Sequence, residues 1–150
     1  MNNLDKIFDY FKKEYRAGHK LNLFKDGDYY WITQGYVLAR VPISIMELNP
    51  ALCNDVDYSE LLGRDKGEVL EDLKLQEVDR SRNLILIPFQ GNGFTAWINK
   101  KYLDIFPKGV SLRGTGSIDS VWVYSGEEVI GLVCPIRHEK ELPTLYDIAK

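Results

Sequence analysis

An α+β fold is predicted for this 150-residue chain: a single domain of two similar halves, each an amphipathic helix followed by a three-stranded antiparallel meander. Three observations lead there. The N-terminal stretch repeats apolar residues every three or four positions, the period of a helix with one buried face. Two later stretches alternate in the manner of half-buried strands between glycine turns. Both of those stretches carry tryptophan, glycine and Pro-Ile in the same order.

Taken in order, Leu4, Ile7, Phe8, Phe11 and Tyr15 mark the buried face of a helix from Leu4 to Ala17, with Asn3 as N-cap and Gly18 as stop. Strands are expected at Lys20–Phe24, Tyr29–Thr33 and Tyr36–Val41, joined by the turn residues Lys25–Asp28 and Gln34-Gly35. Residues 44–52 read as a short helix or a loop. Residues 55–79 are polar and acidic, with a helix near Tyr58–Leu62 and a strand from Leu73 to Val78. Leu84–Phe89 is a short apolar strand, Gln90–Gly93 a turn, and Phe94–Ile98 a further strand. Asn99 caps a helix from Lys100 to Phe106 that Pro107 and Gly109 close. Val110–Arg113, Ser120–Tyr124 and Val129–Cys134 complete the second meander, leaving half-units of about 1–60 and 80–137 and a tail at 138–150.

Composition narrows the class. With 45% hydrophobic and 27% charged residues, the chain has the mixture of a folded domain rather than a disordered or low-complexity one. No apolar run approaches the roughly 18 residues that span a bilayer. The N-terminus lacks the basic-then-apolar order of a secretion signal. Two distant cysteines, Cys53 and Cys134, form neither a disulfide framework nor a zinc cluster. A cytoplasmic protein without membrane partners is the expectation.

The internal repeat pairs Trp31 with Trp122, Gly35 with Gly126, and Pro42-Ile43 with Pro135-Ile136. Any two hairpins containing these residue types can be aligned, but order, spacing and the preceding helix agree, and they predict halves related by a pseudo-twofold axis. The pattern resembles one domain of a DNA sliding clamp, the ring-shaped processivity factor of replication. Thr33-Gln34-Gly35-Tyr36-Val37-Leu38-Ala39 is similar to the Thr-Asp-Gly-His/Tyr-Arg-Leu-Ala of bacterial clamps, with Gln34 and Val37 in place of the acid and the arginine. Cys134-Pro135-Ile136-Arg137 is similar to the Met-Pro-Met-Arg that closes those chains. The resemblance implies strands outside, helices toward a DNA-filled pore, and a greasy partner-peptide pocket that includes Pro135, Ile136 and Arg137. A bacterial clamp chain has three such domains and this chain has room for one, as in a minimal phage or mobile-element version; a ring of six domains needs six copies.

A pore-facing role requires basic helices even on an acidic protein. Residues 1–20 carry five basic groups (Lys6, Lys12, Lys13, Arg16, Lys20) against three acids, and residues 97–113 carry four against Asp104, in a chain of net charge −3. Lys12, Lys13, Arg16, Lys100 and Lys101 are therefore the expected contacts to double-stranded DNA; a solvated helix face explains the same lysines equally well. Residues 55–79 hold nine acids against three bases, which suits a basic protein partner or a solvated connector.

Enzymatic signatures in the sequence are weak. Asp55-x-Asp57-x-Ser59 begins like a calcium loop, but Glu60 stands where glycine is needed and Lys66 where the closing glutamate is needed. Gly91-x-Gly93-x-x-Ala96 follows a strand but precedes another strand, so no helix N-terminus meets a phosphate. His19 and His138 sit at element ends, and no nucleophile–histidine order stands out. The expectation is a clamp-like, non-enzymatic binding module without metal or cofactor that engages DNA, a protein partner or copies of itself. Two alternatives stand beside it: a monomeric adaptor or inhibitor acting through its acidic stretch or strand edges, and a small enzyme whose site, for instance Arg113, Asp119 and His138, has no motif.

Overall fold

In the computed structural model, residues 3–137 are described. The tail assigned to 138–150, with His138, lies outside them. The fold is mixed α+β, mostly sheet. Helix α1 (Asn3–Arg16) buries Ile7, Phe8 and Phe11 on one face. It ends where Gly18 takes φ +89°, letting His19 N–H reach back to Glu14 and Gly18 N–H to Tyr15, a cap that satisfies the last carbonyls.

Strands β1 (Asn22–Asp26), β2 (Tyr29–Thr33) and β3 (Val37–Pro42) form the first meander. Two 3₁₀ turns, Ile43–Ile45 and Pro50–Leu52, fill the stretch that read as helix or loop. The acidic segment is more structured than a connector. It supplies β4 (Asn54–Asp55), α2 (Ser59–Leu62), β5 (Glu68–Val69), β6 (Glu71–Asp72) and β7 (Glu77–Asp79). The strand expected at Leu73–Val78 is mostly loop: residues 73–76 lie between β6 and β7, and only Glu77 and Val78 fall in a strand. Asp72 Oδ1 accepts Lys74 N–H at 2.8 Å, and Lys74 takes a positive φ, so the chain turns there.

Strand β8 (Leu84–Gln90) contains a fully buried proline, Pro88. Its place is explained by register: β7 pairs with Leu84–Leu86 and β6 with Phe89–Gln90, so the proline falls where the neighbouring strand changes and no N–H is required. Strand β9 (Thr95–Asn99) covers the other edge of β8 and leads into α3 (Lys100–Leu103), capped by Asn99 Oδ1 accepting Lys101 N–H at 3.0 Å. That helix stops three residues earlier than its sequence predicts, because Ile105 and Phe106 turn inward and are buried. Strands β10 (Ser111–Gly114), β11 (Val121–Ser125) and β12 (Glu128–Val133) form the second meander.

Two sheets result. The larger has eight strands in the order β4-β1-β2-β3-β12-β11-β10-β5, the smaller joins β6, β7, β8 and β9. The meanders meet edge to edge, β3 antiparallel to β12, with Val37, Leu38 and Ala39 opposite Val133, Leu132 and Gly131. Alternation assigns the two faces. Ile32, Val37, Ala39, Val41, Val121, Val123 and Val133 point into the main core with α1, Ile105, Phe106 and the smaller sheet. Trp31, Leu38, Trp122, Tyr124 and Leu132 point the other way, where Tyr58, Leu61 and Leu62 pack over them. Lys66 closes that second cluster: its ammonium lies 4.4 Å from the Trp122 ring and donates to the Leu62 and Arg64 carbonyls at 2.5 and 2.7 Å.

Candidate functional site

The basic candidates lie on the side of the large sheet that carries α1 and α3. On α1 the buried face is apolar, so Lys13 and Arg16 face solvent. Lys12 is half-buried and forms an ion pair with Glu47 at 3.2 Å, and Lys100 forms one with Asp104 at 2.7 Å, one helical turn on. Lys101 is exposed and turned toward α1, its ammonium 5.8 Å from the Tyr10 ring. Among the described residues, Lys13, Arg16, Lys20 and Lys101 form no ion pair. Of the five expected DNA contacts, three are thus available charges and two are locally neutralised.

The C-terminal end of α1, the β2–β3 turn, the segment before β8 and the start of α3 enclose a cleft of about 600 Å³ lined by Glu14, His19, Lys20, Gln34, Tyr36, Asn83, Lys101 and Tyr102 among others. A hydrogen-bond chain forms its floor. His19 Nδ1 pairs with Glu14 Oε2, Glu14 accepts from the Tyr10 hydroxyl, and Gln34 Nε2 donates to the same hydroxyl oxygen at 2.6 Å. Gln34 Oε1 then accepts the backbone N–H groups of Tyr36 and Val37, both at 2.9 Å, which fixes the turn. Burial first, then the Glu14 carboxylate, holds the Tyr10 phenol well above its ordinary value. For Glu14 burial pushes upward, but hydrogen bonds from Tyr10 and His19 and the charge of Lys101 outweigh it, so its carboxyl lies below the usual carboxylate range.

Above this floor stand two aromatic rings. Tyr36, 62% exposed at the tip of the turn, lies parallel to Tyr102, with an interplanar angle of 4° and centroids 6.5 Å apart. Tyr102 is also edge-on to Tyr10 at 6.3 Å, which ties α3 to α1. Of the neighbouring tyrosines Tyr29, Tyr30 and Tyr36, the first two are half-buried and only Tyr36 is exposed. Nothing local in the sequence links Glu14, Gln34 and Lys101; three separate elements bring them together.

The residues expected to form a partner pocket lie elsewhere. Pro135 and Ile136 are half-buried, Ile136 N–H donates to Trp97 O at 2.8 Å as a bridge onto β9, and Arg137 is exposed, its carbonyl accepting from Arg82 at 3.3 Å. They join the two sheets. Of the three residues named for the small-enzyme reading, His138 lies outside the described residues; the Arg113 guanidinium lies 4.5 Å from the Tyr124 ring, and the Asp119 carboxylate accepts from Thr115 Oγ1 at 3.2 Å.

A second cavity, of about 570 Å³, opens between the N-terminal turn of α1 and the β3–β12 junction, where Arg40 lies over the Tyr29 ring and pairs with Glu128 at 3.3 Å. Burial raises both cysteine thiols, with Asp55 adding to the effect at Cys53, which disfavours the thiolate form at each. No group of three or more metal-ligating side chains occurs among the described residues, and none of their helices is long and apolar enough to cross a membrane. Comparison with protein-family models, curated proteins and solved structures returned no match.

Proposed function

We propose that this chain is a clamp-like, non-enzymatic binding module: two helix-plus-meander halves related by an approximate two-fold axis, with a basic helical face that engages duplex DNA. The register of the large sheet carries the reading. In the first meander Trp31 opposes Arg40 and Ile32 opposes Ala39; in the second, Trp122 opposes Leu132 and Val123 opposes Gly131. Ala39 and Gly131 therefore hold matching positions within their own meanders, and they oppose each other where β3 meets β12. A two-fold axis through that pair generates this register; two unrelated hairpins meeting at their edges have no reason to adopt it.

The charges support the second half of the reading. Lys13, Arg16 and Lys101 are exposed cations on α1 and α3, and phosphate backbones are bound by such groups irrespective of sequence. Encirclement of DNA by a single-domain chain requires self-association, so light scattering belongs to the same test. Fluorescence anisotropy with a labelled duplex, at low salt, reads the affinity of the unaltered protein and of the combined Lys13→Glu, Arg16→Glu and Lys101→Glu variant. The reversals are expected to abolish binding, whereas Lys12→Glu with Lys100→Glu has a smaller effect because both lysines are already paired. Duplex affinity unchanged by the triple reversal, or no affinity at all, overturns the proposal.

A further inference from the structure

We infer that the Tyr36 cleft is a binding site for an unpaired nucleotide of a single-stranded DNA segment, the base stacking on Tyr36 and the phosphates meeting Lys20 and Lys101. The inference deepens the DNA-binding reading and rests on it for the class of ligand. Four features of the cleft converge on that chemistry. Tyr36 is a large aromatic group with 62% of its surface exposed at the tip of the β2–β3 turn, which leaves its ring accessible to a planar ligand. It is also held in place: Gln34 pins the backbone on both sides of the ring, and Tyr102 lies parallel to it. A ring so fixed loses little freedom when a base stacks on it.

The cations are the third feature. Lys20 and Lys101 line the same cleft and neither forms an ion pair among the described residues. The cleft's one carboxylate, Glu14, is engaged by His19 and Tyr10 and is the less exposed member of its pair, at 12% against 60% for His19. The wall that an anion meets is therefore net positive. The fourth feature is Asn83, exposed at the rim with φ +54°, whose side chain makes no hydrogen bond among the described residues and so offers both a donor and an acceptor to a base edge. An aromatic platform beside cations is how proteins hold unpaired strands. A stacked pair inside an intact duplex cannot present a base face to Tyr36, so the site selects single strands.

The test measures binding of three labelled probes by anisotropy: oligo(dT), an abasic strand of equal length and charge, and a duplex. Oligo(dT) is expected to bind more tightly than the abasic strand. Tyr36→Ala should weaken oligo(dT) by about fivefold or more while leaving the duplex affinity unchanged. Tyr36→Phe, which keeps the ring, should restore it, and unaltered circular dichroism of the exposed-site variants shows that the fold is intact. Equal affinity for oligo(dT) and the abasic strand, no loss in Tyr36→Ala, or no binding of oligo(dT) overturns the inference. Failure of duplex binding alone, with the oligo(dT) results as expected, instead removes the duplex reading and leaves the cleft assignment standing.

Discussion

Gly131, at the seam between the two meanders, gives the most demanding test of the packing. A Cβ there would lie 2.4 Å from two ring carbons of Phe106 and 2.8 Å from the backbone carbonyl of Leu38. The ring can yield only by leaving a core in which it is 3% exposed, and the carbonyl belongs to the strand pairing itself. Overpacking of this kind costs about 1–3 kcal/mol. For a chain of this length Gly131→Ala should then lower Tm by about 2–12 °C. Phe106→Ala alone should cost about 3–5 kcal/mol through the void it leaves. In the double variant the added methyl enters that void, so the two effects combine to at least about 1 kcal/mol less than their sum. Urea denaturation followed by circular dichroism reads all three. A neutral Gly131→Ala, or effects additive within about 0.5 kcal/mol, refutes the packing described for the seam.

Two further outcomes follow from side chains already described. Lys66→Ala removes two hydrogen bonds to the end of α2 and the cation over Trp122, and should cost about 1–2 kcal/mol with a shift in tryptophan emission; unchanged stability and emission would show the contact to be idle. The Glu14 carboxyl is held below its ordinary value of 4.5, so its contribution to stability is complete above that pH and is lost as pH falls through the folded-state value. Glu14→Gln should therefore flatten the fall in urea midpoint below about pH 4.5, and an unaltered acid profile would contradict the Tyr10–Glu14–His19 arrangement.

The hairpins were legible in the sequence because each physical cue was local. Gly27, Gly35 and Gly126 take positive φ at the turns that punctuate the alternating strands, and the strand bounds differ from expectation by two residues or fewer. Asn99 was legible as a cap for the same reason. In the acidic segment the short helix expected near Tyr58–Leu62 was legible and is α2, but the strands were not, since they are two or three residues long and exist only through pairing with β1, β8 and β10. Helix α3 was overextended because periodicity alone does not reveal that Ile105 and Phe106 are drawn under the seam. The basic residues were legible as charges but not as available ones. Glu47, 35 residues from Lys12, neutralises it through a tertiary contact, although the Lys100–Asp104 spacing was itself a visible helical pair. The cleft draws on α1, the β2–β3 turn and α3, and no local pattern encodes that meeting.

The salt dependence of duplex affinity tests the central claim most directly. If Lys13, Arg16 and Lys101 each neutralise one phosphate, every bound copy contributes about −2.7 to the slope of the logarithm of affinity against that of salt concentration, a loss of about 40-fold per copy between about 50 and about 200 mM. The account predicts that contribution per copy for the unaltered protein and a shallower slope as each cation is removed. A slope near zero, or one that the three substitutions leave unchanged, contradicts it.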